Sequence, residues 1–405
     1  MTSFKKYFQS NFSVIARSVS DEAILIKICR NQTNKTKKES KMSFKKISEI
    51  TAEAKKKNLE FWEAVLQDDM KERNVSKDES FRKMEKMFDA MAQADKTYSP
   101  NLRSQSGLSG GDGAKLEIFR KQENRLIGTF LTMVMEKAVK MGESNACMKR
   151  IVAAPTAGSC GVIPAVLLTY YEQKNPPKEK IIKSLYVAAG IGQAIANTAS
   201  ISGAEGGCQA EIGSASAMAA GALTYLESEN ESESDEMRET EEKCEAFAGG
   251  ENQDKSETDE KQDTATKISE SEENEEIREN CEASKSKENC NQNKNELRKT
   301  RIEETNNQIA NAAALALKNM LGLTCDPVAG LVEIPCIKRN VSGAVNAIIA
   351  SQMTKAGIKS AIPADEVIES MGRIGSLIPP CLKETSQEGL AATATAQKIA
   401  EKMQV

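Results

Sequence analysis

From Ser43 onward, Phe44, Ile47, Ile50, Leu59, Trp62, Val65 and Leu66 recur mostly at helical spacing with no internal proline or glycine. That pattern predicts helix where the ordered chain begins. Ser76-Lys77-Asp78-Glu79 reads as a capping box that opens a second helix. Phe81, Met84, Met87, Phe88 and Met91 share one face of it, and a methionine stripe of this kind belongs to a core. The loop Ser104 to Gly113 (SQSGLSGGDG) holds four glycines and reads as a substrate lid or a linker; an amphipathic run through Met141 follows it. Residues 151–226 then change character, being rich in Ala, Gly and Ser and nearly uncharged. Helices of that composition pack with their backbones close together, which suits a site buried where they meet.

The pattern breaks over residues 227–303, where Glu, Lys, Asn and Ser dominate and apolar positions are scattered. Such a stretch buries too little surface to offset its conformational entropy, so disorder is expected. An Ala-rich helix is expected over 308–321, ending at Gly322 and the loop TCDPVAGLVEIPC. Asn340 is read as the cap of a helix running to Gly357, Pro363 and Asp365 introduce the next, and a last helix spans about 389–403. Few strands are expected, and the fold class is mainly α.

Composition sharpens this picture. Aromatic residues are only 4% of the chain against 39% hydrophobic, so the core is built from Ala, Ile, Leu, Val and Met, which favours packed helices. No run of eighteen apolar residues occurs, so no membrane span is expected. Residues 227–303 carry 26 acidic and 12 basic residues, a net −14; with the whole chain at −4, the remainder carries +10. That excess is spread thinly and forms no basic stripe interleaved with aromatics, which argues against nucleic acid. Residues 1–42 read as an N-terminal extension without sustained periodicity, with no function assigned. The expected organisation is therefore a catalytic body made of 43–226 and 304–405, interrupted by an acidic insert at 227–303, in the cytoplasm.

Ten cysteines accompany no histidine at all. Without an apolar signal peptide, a secreted disulfide scaffold loses ground to metal-binding or catalytic thiols. Without imidazole, this chain alone makes neither a Cys/His zinc site nor a Ser–His–Asp triad. Cys244, Cys281 and Cys290 fall in the acidic stretch and are discounted as ligands. Cys208 lies in SGAEGGCQAEIG directly before an Ala-rich helix, whose N-terminus favours a thiolate. Cys325 and Cys336 flank a ten-residue loop stiffened by Pro327, Gly330 and Pro335. Spacing alone leaves two readings open: thiolate ligands, or small buried hydrophobes.

Longer motifs carry more. IVAAPTAGSCGVIPAVLL (151–168), SISGAEGGCQAEIGSASAMAAG (200–221), LGLTCDPVAGLVEIPCIKRN (321–340) and MGRIGSLIPPCLKETSQEGLAAT (371–393) occur in collinear order, with SGLSGGDGAKL (106–116) before them. Together they resemble the iron–sulfur-dependent L-serine dehydratase family, in its two-subunit alpha-chain form. The resemblance implies an Ala/Gly-rich helical catalytic domain and a 4Fe–4S cluster held by Cys208, Cys325 and Cys336. It also implies conversion of L-serine to pyruvate and ammonia without pyridoxal phosphate. Three thiolates leave one iron open to act as a Lewis acid on the serine hydroxyl. Cys160, in TAGSCG, matches a family cysteine that is not a ligand.

Thr156, Gly158, Ser159 and Gly161 are read as helping to bind the substrate carboxylate, with Ser202 and Gly203 as weaker candidates; a close-packed helix start is the competing reading. Arg373 and Lys383 are further carboxylate partners to consider, although the family more often has Arg where Lys383 stands, and Cys381 is read as packing. No residue is assigned as general base. The family's two-subunit forms keep a Ser-Ser-His-Thr type motif in a beta chain, and this sequence has none, so a beta-chain partner is expected to supply the imidazole. The alternatives are an L-cysteine desulfidase of the same superfamily, a non-catalytic iron–sulfur protein, and an interaction protein recruiting partners through its acidic stretch.

Overall fold

The structure, a computed structural model, describes residues 44–123, 125–228 and 271–403, with backbone alone over 271–294. The N-terminal extension and Cys244 lie outside the described residues. The chain divides into two compact units, Met1–Leu226 with Thr305–Val405, and Glu227–Glu304.

Among the described residues the first unit is helical throughout: α1 (Ile47–Lys57), α2 (Phe61–Arg73), α3 (Lys77–Lys96), α4 (Asp112–Arg120), α5 (Thr129–Ala146), α6 (Val162–Lys174) and α7 (Lys178–Thr198) come first. Then follow α8 (214–228), α9 (Ser271–Lys318), α10 (Cys336–Lys355), α11 (Ala364–Leu377) and α12 (Ala394–Met403). No strand forms among the described residues; the one extended pairing is an isolated parallel bridge between Cys325 and Lys383.

Helix α3 begins as its sequence demands, with the Ser76 side chain accepting the Glu79 N–H at 3.2 Å. Its Met84, Met87, Phe88 and Met91 are all buried. Helices α1 and α2 pack on α7, while α4, α6 and α10 pack on α5. The centre is made of small residues: Ala188 and Ala189 of α7, Ala215, Ala217 and Ala219 of α8, and Ala312 and Ala313 of α9 are fully buried. Small residues let backbones approach, and Gly343 shows how closely. A methyl group there would come within 2.7 Å of Ile212, so α10 lies directly on the turn that precedes α8.

Three boundaries differ from the sequence reading. Helix α10 starts at Cys336, not at Asn340. Asn340 is buried inside it and bonds outward, accepting from Gly161 N at 2.8 Å and donating to the carbonyls of Gly158 at 2.8 Å and Cys336 at 3.0 Å. Asp365 does lie in the first turn of α11, but its carboxylate reaches across to cap α1, accepting from Ile47 N and Ser48 N. The last helix begins at Ala394, after a short 3-10 turn at Gly389–Ala392. Helical backbone of α9 also extends upstream of residue 304, beginning at Ser271.

Candidate active site

Three segments, one of them more than a hundred residues from the other two, meet at the start of α10. The first is the stretch Gly203–Gly213, a four-residue turn and then a single π-helical turn that lead into α8, with Cys208 between them. The second is the loop after α9, which carries Cys325, and the third is the first residue of α10, Cys336. Backbone pairing locks the first two together: Gln209 N donates to Leu323 O at 3.0 Å, and Gly322 N donates to the Gln209 side-chain oxygen at 2.9 Å. The loop 380–384 joins from the other side, with Cys325 N donating to Leu382 O and Glu384 N donating to Cys325 O, both at 2.9 Å.

This puts three thiols within reach of one another's charge, none of them in a disulfide. Burial pushes the Cys208 thiol up to about 12, opposed chiefly by the Arg339 guanidinium. Cys325 and Cys336 are pushed up by burial first and by Cys208 next. Arg339 is the cation of this site. It donates to Thr324 O at 2.8 Å and to the Asp326 carboxylate at 2.9 Å, and it also hydrogen-bonds Cys208. Asp326 is itself buried and accepts Leu390 N at 2.9 Å, which ties the segment 389–390 to the cysteine loop.

Three desolvated thiols facing one another are poor anions unless a positive centre compensates them, and such a centre binds the deprotonated form. Among the described residues no three His, Cys, Asp or Glu side chains come close enough to hold a single metal ion. A cubane makes a different demand, because each thiolate binds its own iron and the sulfurs stay farther apart. Three thiols beside one guanidinium are the kind of donor set a cluster takes, one thiolate to each of three irons.

A carboxylate lies one residue's width from these thiols. Glu211, on the π-helical turn, hydrogen-bonds Thr156, and its pKa is pushed up to about 7, by burial first and by the nearby Glu384 carboxylate second. A methyl group on Gly158 would come within 2.9 Å of this carboxylate, and one on Gly203 within 2.8 Å. On its other side, the same hypothetical methyl at Gly203 would stand 3.4 Å from the Cys325 sulfur. Glu384 has left-handed backbone at φ 52° and is likewise pushed up by burial.

Thr156, Gly158 and Gly203 thus meet at Glu211. Ser159 joins them through its hydroxyl, 3.0 Å from that of Thr156. Gly161 instead packs into the start of α6, where its N–H is taken by Asn340 and a side chain would strike Ala138 O. Ser202 opens the Gly203–Gly206 turn, its carbonyl accepting from Glu205 N and Gly206 N. Cys160 is core, fully buried with its thiol toward Met141 O at 3.7 Å. Arg373 is exposed on α11, whereas Lys383 pairs by backbone with Cys325. The glycine loop is no free linker: Ser104 and Ser106 both donate to the buried Glu333 carboxylate, at 2.8 and 2.9 Å, which fastens the loop to the segment between Cys325 and Cys336.

The family model for the serine dehydratase alpha chain matches residues 56–240 and 300–391. The chain belongs to that family. Relatives include the probable L-serine dehydratase alpha chain of Bacillus subtilis (strain 168), 36% identical over 89% of this chain and 95% of that protein. The L-serine dehydratase alpha chain of Peptoniphilus asaccharolyticus is 31% identical over 87% of this chain and 95% of its own length. L-serine dehydratase TdcG of Escherichia coli (strain K12) is 34% identical over 63% of this chain, which spans only 40% of that protein. In this serine dehydratase alpha chain the family match skips residues 241–299 and includes every residue of the site just described.

Sequence reasoning missed Glu211, Arg339, Asp326 and Glu333. For Glu211 a signal existed: it is the only charged residue between Glu205 and Glu227. The others sit in ordinary polar surroundings, and only the fold reveals what they face.

Proposed function

We propose that this chain is the alpha chain of an L-serine dehydratase that converts L-serine to pyruvate and ammonia, with a 4Fe–4S cluster held by Cys208, Cys325 and Cys336. The observation that carries the reading is the meeting of the buried Cys208 and Cys325 thiols and the half-buried Cys336 thiol, the first from a segment more than a hundred residues away from the other two, beside a single guanidinium. The matched family and the names of the relatives supply the substrate.

A cluster bound there supplies an open iron, a Lewis acid that turns the serine hydroxyl into a better leaving group. The chain's own residues supply the setting. Arg339 offsets the negative charge gathered at Cys208, and Asp326 holds Arg339 in place. Thr156, Gly158, Ser159, Gly161, Ser202 and Gly203 are the residues assigned to substrate binding; Thr156, Gly158 and Gly203 meet at the Glu211 carboxyl, and Ser159 joins them through Thr156. The loop 104–111 is fastened through Glu333 to the segment that carries Cys325 and Cys336. Loss of the Cα proton and of hydroxide gives aminoacrylate, which tautomerises and hydrolyses to pyruvate and ammonia.

The Cα proton needs an acceptor, and we assign it to an imidazole of a beta chain, since this chain has no histidine. The alpha-chain names of the Bacillus subtilis and Peptoniphilus asaccharolyticus relatives support a second subunit. The catalytic body is 43–226 with 304–405, and 227–303 is an insert outside the chemistry. Anaerobic purification with the beta chain tests the reading: iron bound in proportion to protein and pyruvate formed from L-serine support it. Equal turnover of L-cysteine to sulfide would favour the desulfidase reading instead, and full serine turnover by this chain alone would refute the partner's role.

A further inference from the structure

At the residues assigned to substrate binding, the carboxylate of Glu211 is the one charged group whose role the dehydration as described leaves open. It lies between two glycines of different loops, each of which leaves room for it only by lacking a side chain. Thr156 fixes its direction, and Gly203 alone separates it from the Cys325 sulfur. Glu384 is the second carboxyl facing it, and it raises the proton affinity of Glu211. The cation of the site, Arg339, is already shared among Cys208, Asp326 and Thr324 O.

An amino acid bound beside Glu211 brings one cation and one anion. Gly158, Gly203 and Thr156 surround the Glu211 carboxyl, whose anion attracts an ammonium and repels a carboxylate, so the substrate carboxylate expected at these residues from the sequence is not placed there. We infer that Glu211 binds the α-ammonium of the substrate, and so selects 2-amino acids over their deaminated analogues. With the ammonium held there, the hydroxyl and carboxylate are the ends left for the thiol side. The inference rests on the proposed serine dehydratase activity and deepens it. Its role is positioning by direct contact with substrate; proton transfer at Cα remains with the beta chain.

A charge-assisted hydrogen bond of this type corresponds to about 10- to 100-fold in affinity. The test uses the complete enzyme with its beta chain, comparing L-serine with 3-hydroxypropanoate, which is serine without its amino group. In the wild type, 3-hydroxypropanoate should inhibit at least about tenfold more weakly than the KM for L-serine. Glu211→Gln should raise that KM about 10- to 100-fold and leave inhibition by 3-hydroxypropanoate within about threefold, so that the discrimination collapses. Glu211→Asp, which keeps the charge one methylene farther back, should change less in the same direction. Calorimetric titration of both ligands reads the same ratio where turnover is low, and iron content confirms that the variant is loaded.

A fall in kcat with KM and discrimination unchanged would overturn the inference and make Glu211 a proton acceptor instead. So would wild-type inhibition by 3-hydroxypropanoate within about threefold of the serine KM, a result that needs no variant. Wild-type enzyme that neither turns over nor binds L-serine would bring down the functional reading, and this inference with it.

Discussion

Cys208, Cys325 and Cys336 are alike in type to Cys160, and only their surroundings separate them. Cys160 faces Met141 in the core and lacks a cation, whereas the other three face one another beside Arg339. Cys→Ser at 208, 325 or 336 should therefore lower the iron-to-protein ratio well below that of the wild type and abolish pyruvate formation. Cys160→Ala should keep both and cost about 1–2 kcal/mol in unfolding free energy. Iron analysis and denaturant melts on the four variants check this, and full iron in any of the three serine variants would remove that residue from the ligand set. A second residue-scale effect lies far from the site, at Asp68. Its carboxyl is buried against Gln193, and burial pushes it up to about 6. A carboxyl raised in the fold stabilises the protein most below its ordinary range, and that contribution is lost as pH rises through about 6. Asp68→Asn, which cannot ionise, should therefore gain stability relative to the wild type between pH 4 and pH 7.5, as read by thermal melts; a constant difference across that range would show no such coupling.

At the scale of elements, the start of α10 organises the site. Asn340 joins Gly158 and Gly161 to Cys336, so one buried amide sets the glycine loop against a thiol. Asn340→Leu leaves those backbone groups unpaired, and should cost about 1–3 kcal/mol per orphaned group. Thermal melts should show the loss, and a chelator should strip iron faster than from the wild type; unchanged melting would mean that the loops hold without it. The same helix shows where sequence reasoning stops. The methionine face of α3 and the Ser76 cap were legible because periodicity and capping are local. Asn340 looked like a cap because Asn favours caps, and tertiary bonding overrode that preference. The meeting of Cys208 with Cys325 and Cys336 was invisible in the spacing, since more than a hundred residues separate them; the long motifs supplied it by resemblance. Glu211 and Arg339 matter for what faces them, which no local pattern encodes.

For the whole molecule, the family match resumes after residues 241–299 as though they were absent. Long insertions between matched segments cost little extra closure entropy, so removing them is tolerated when the ends stay connected. Excision of 241–299 should leave serine turnover within about threefold of the full chain and reduce the strongly acidic charge of that region. Loss of turnover with the fold intact would give this stretch a role in activity or assembly. The low aromatic content, 4% of residues, and the buried alanines of α7, α8 and α9 explain how three loops come so close: thin helices bring their ends together. The most direct measurement is made on the complex with the beta chain, purified without oxygen, recording iron per chain and the visible absorption spectrum before and after adding L-serine. We expect about four irons per chain and a spectrum that shifts on adding L-serine. Fully active enzyme without iron would contradict the account at its centre.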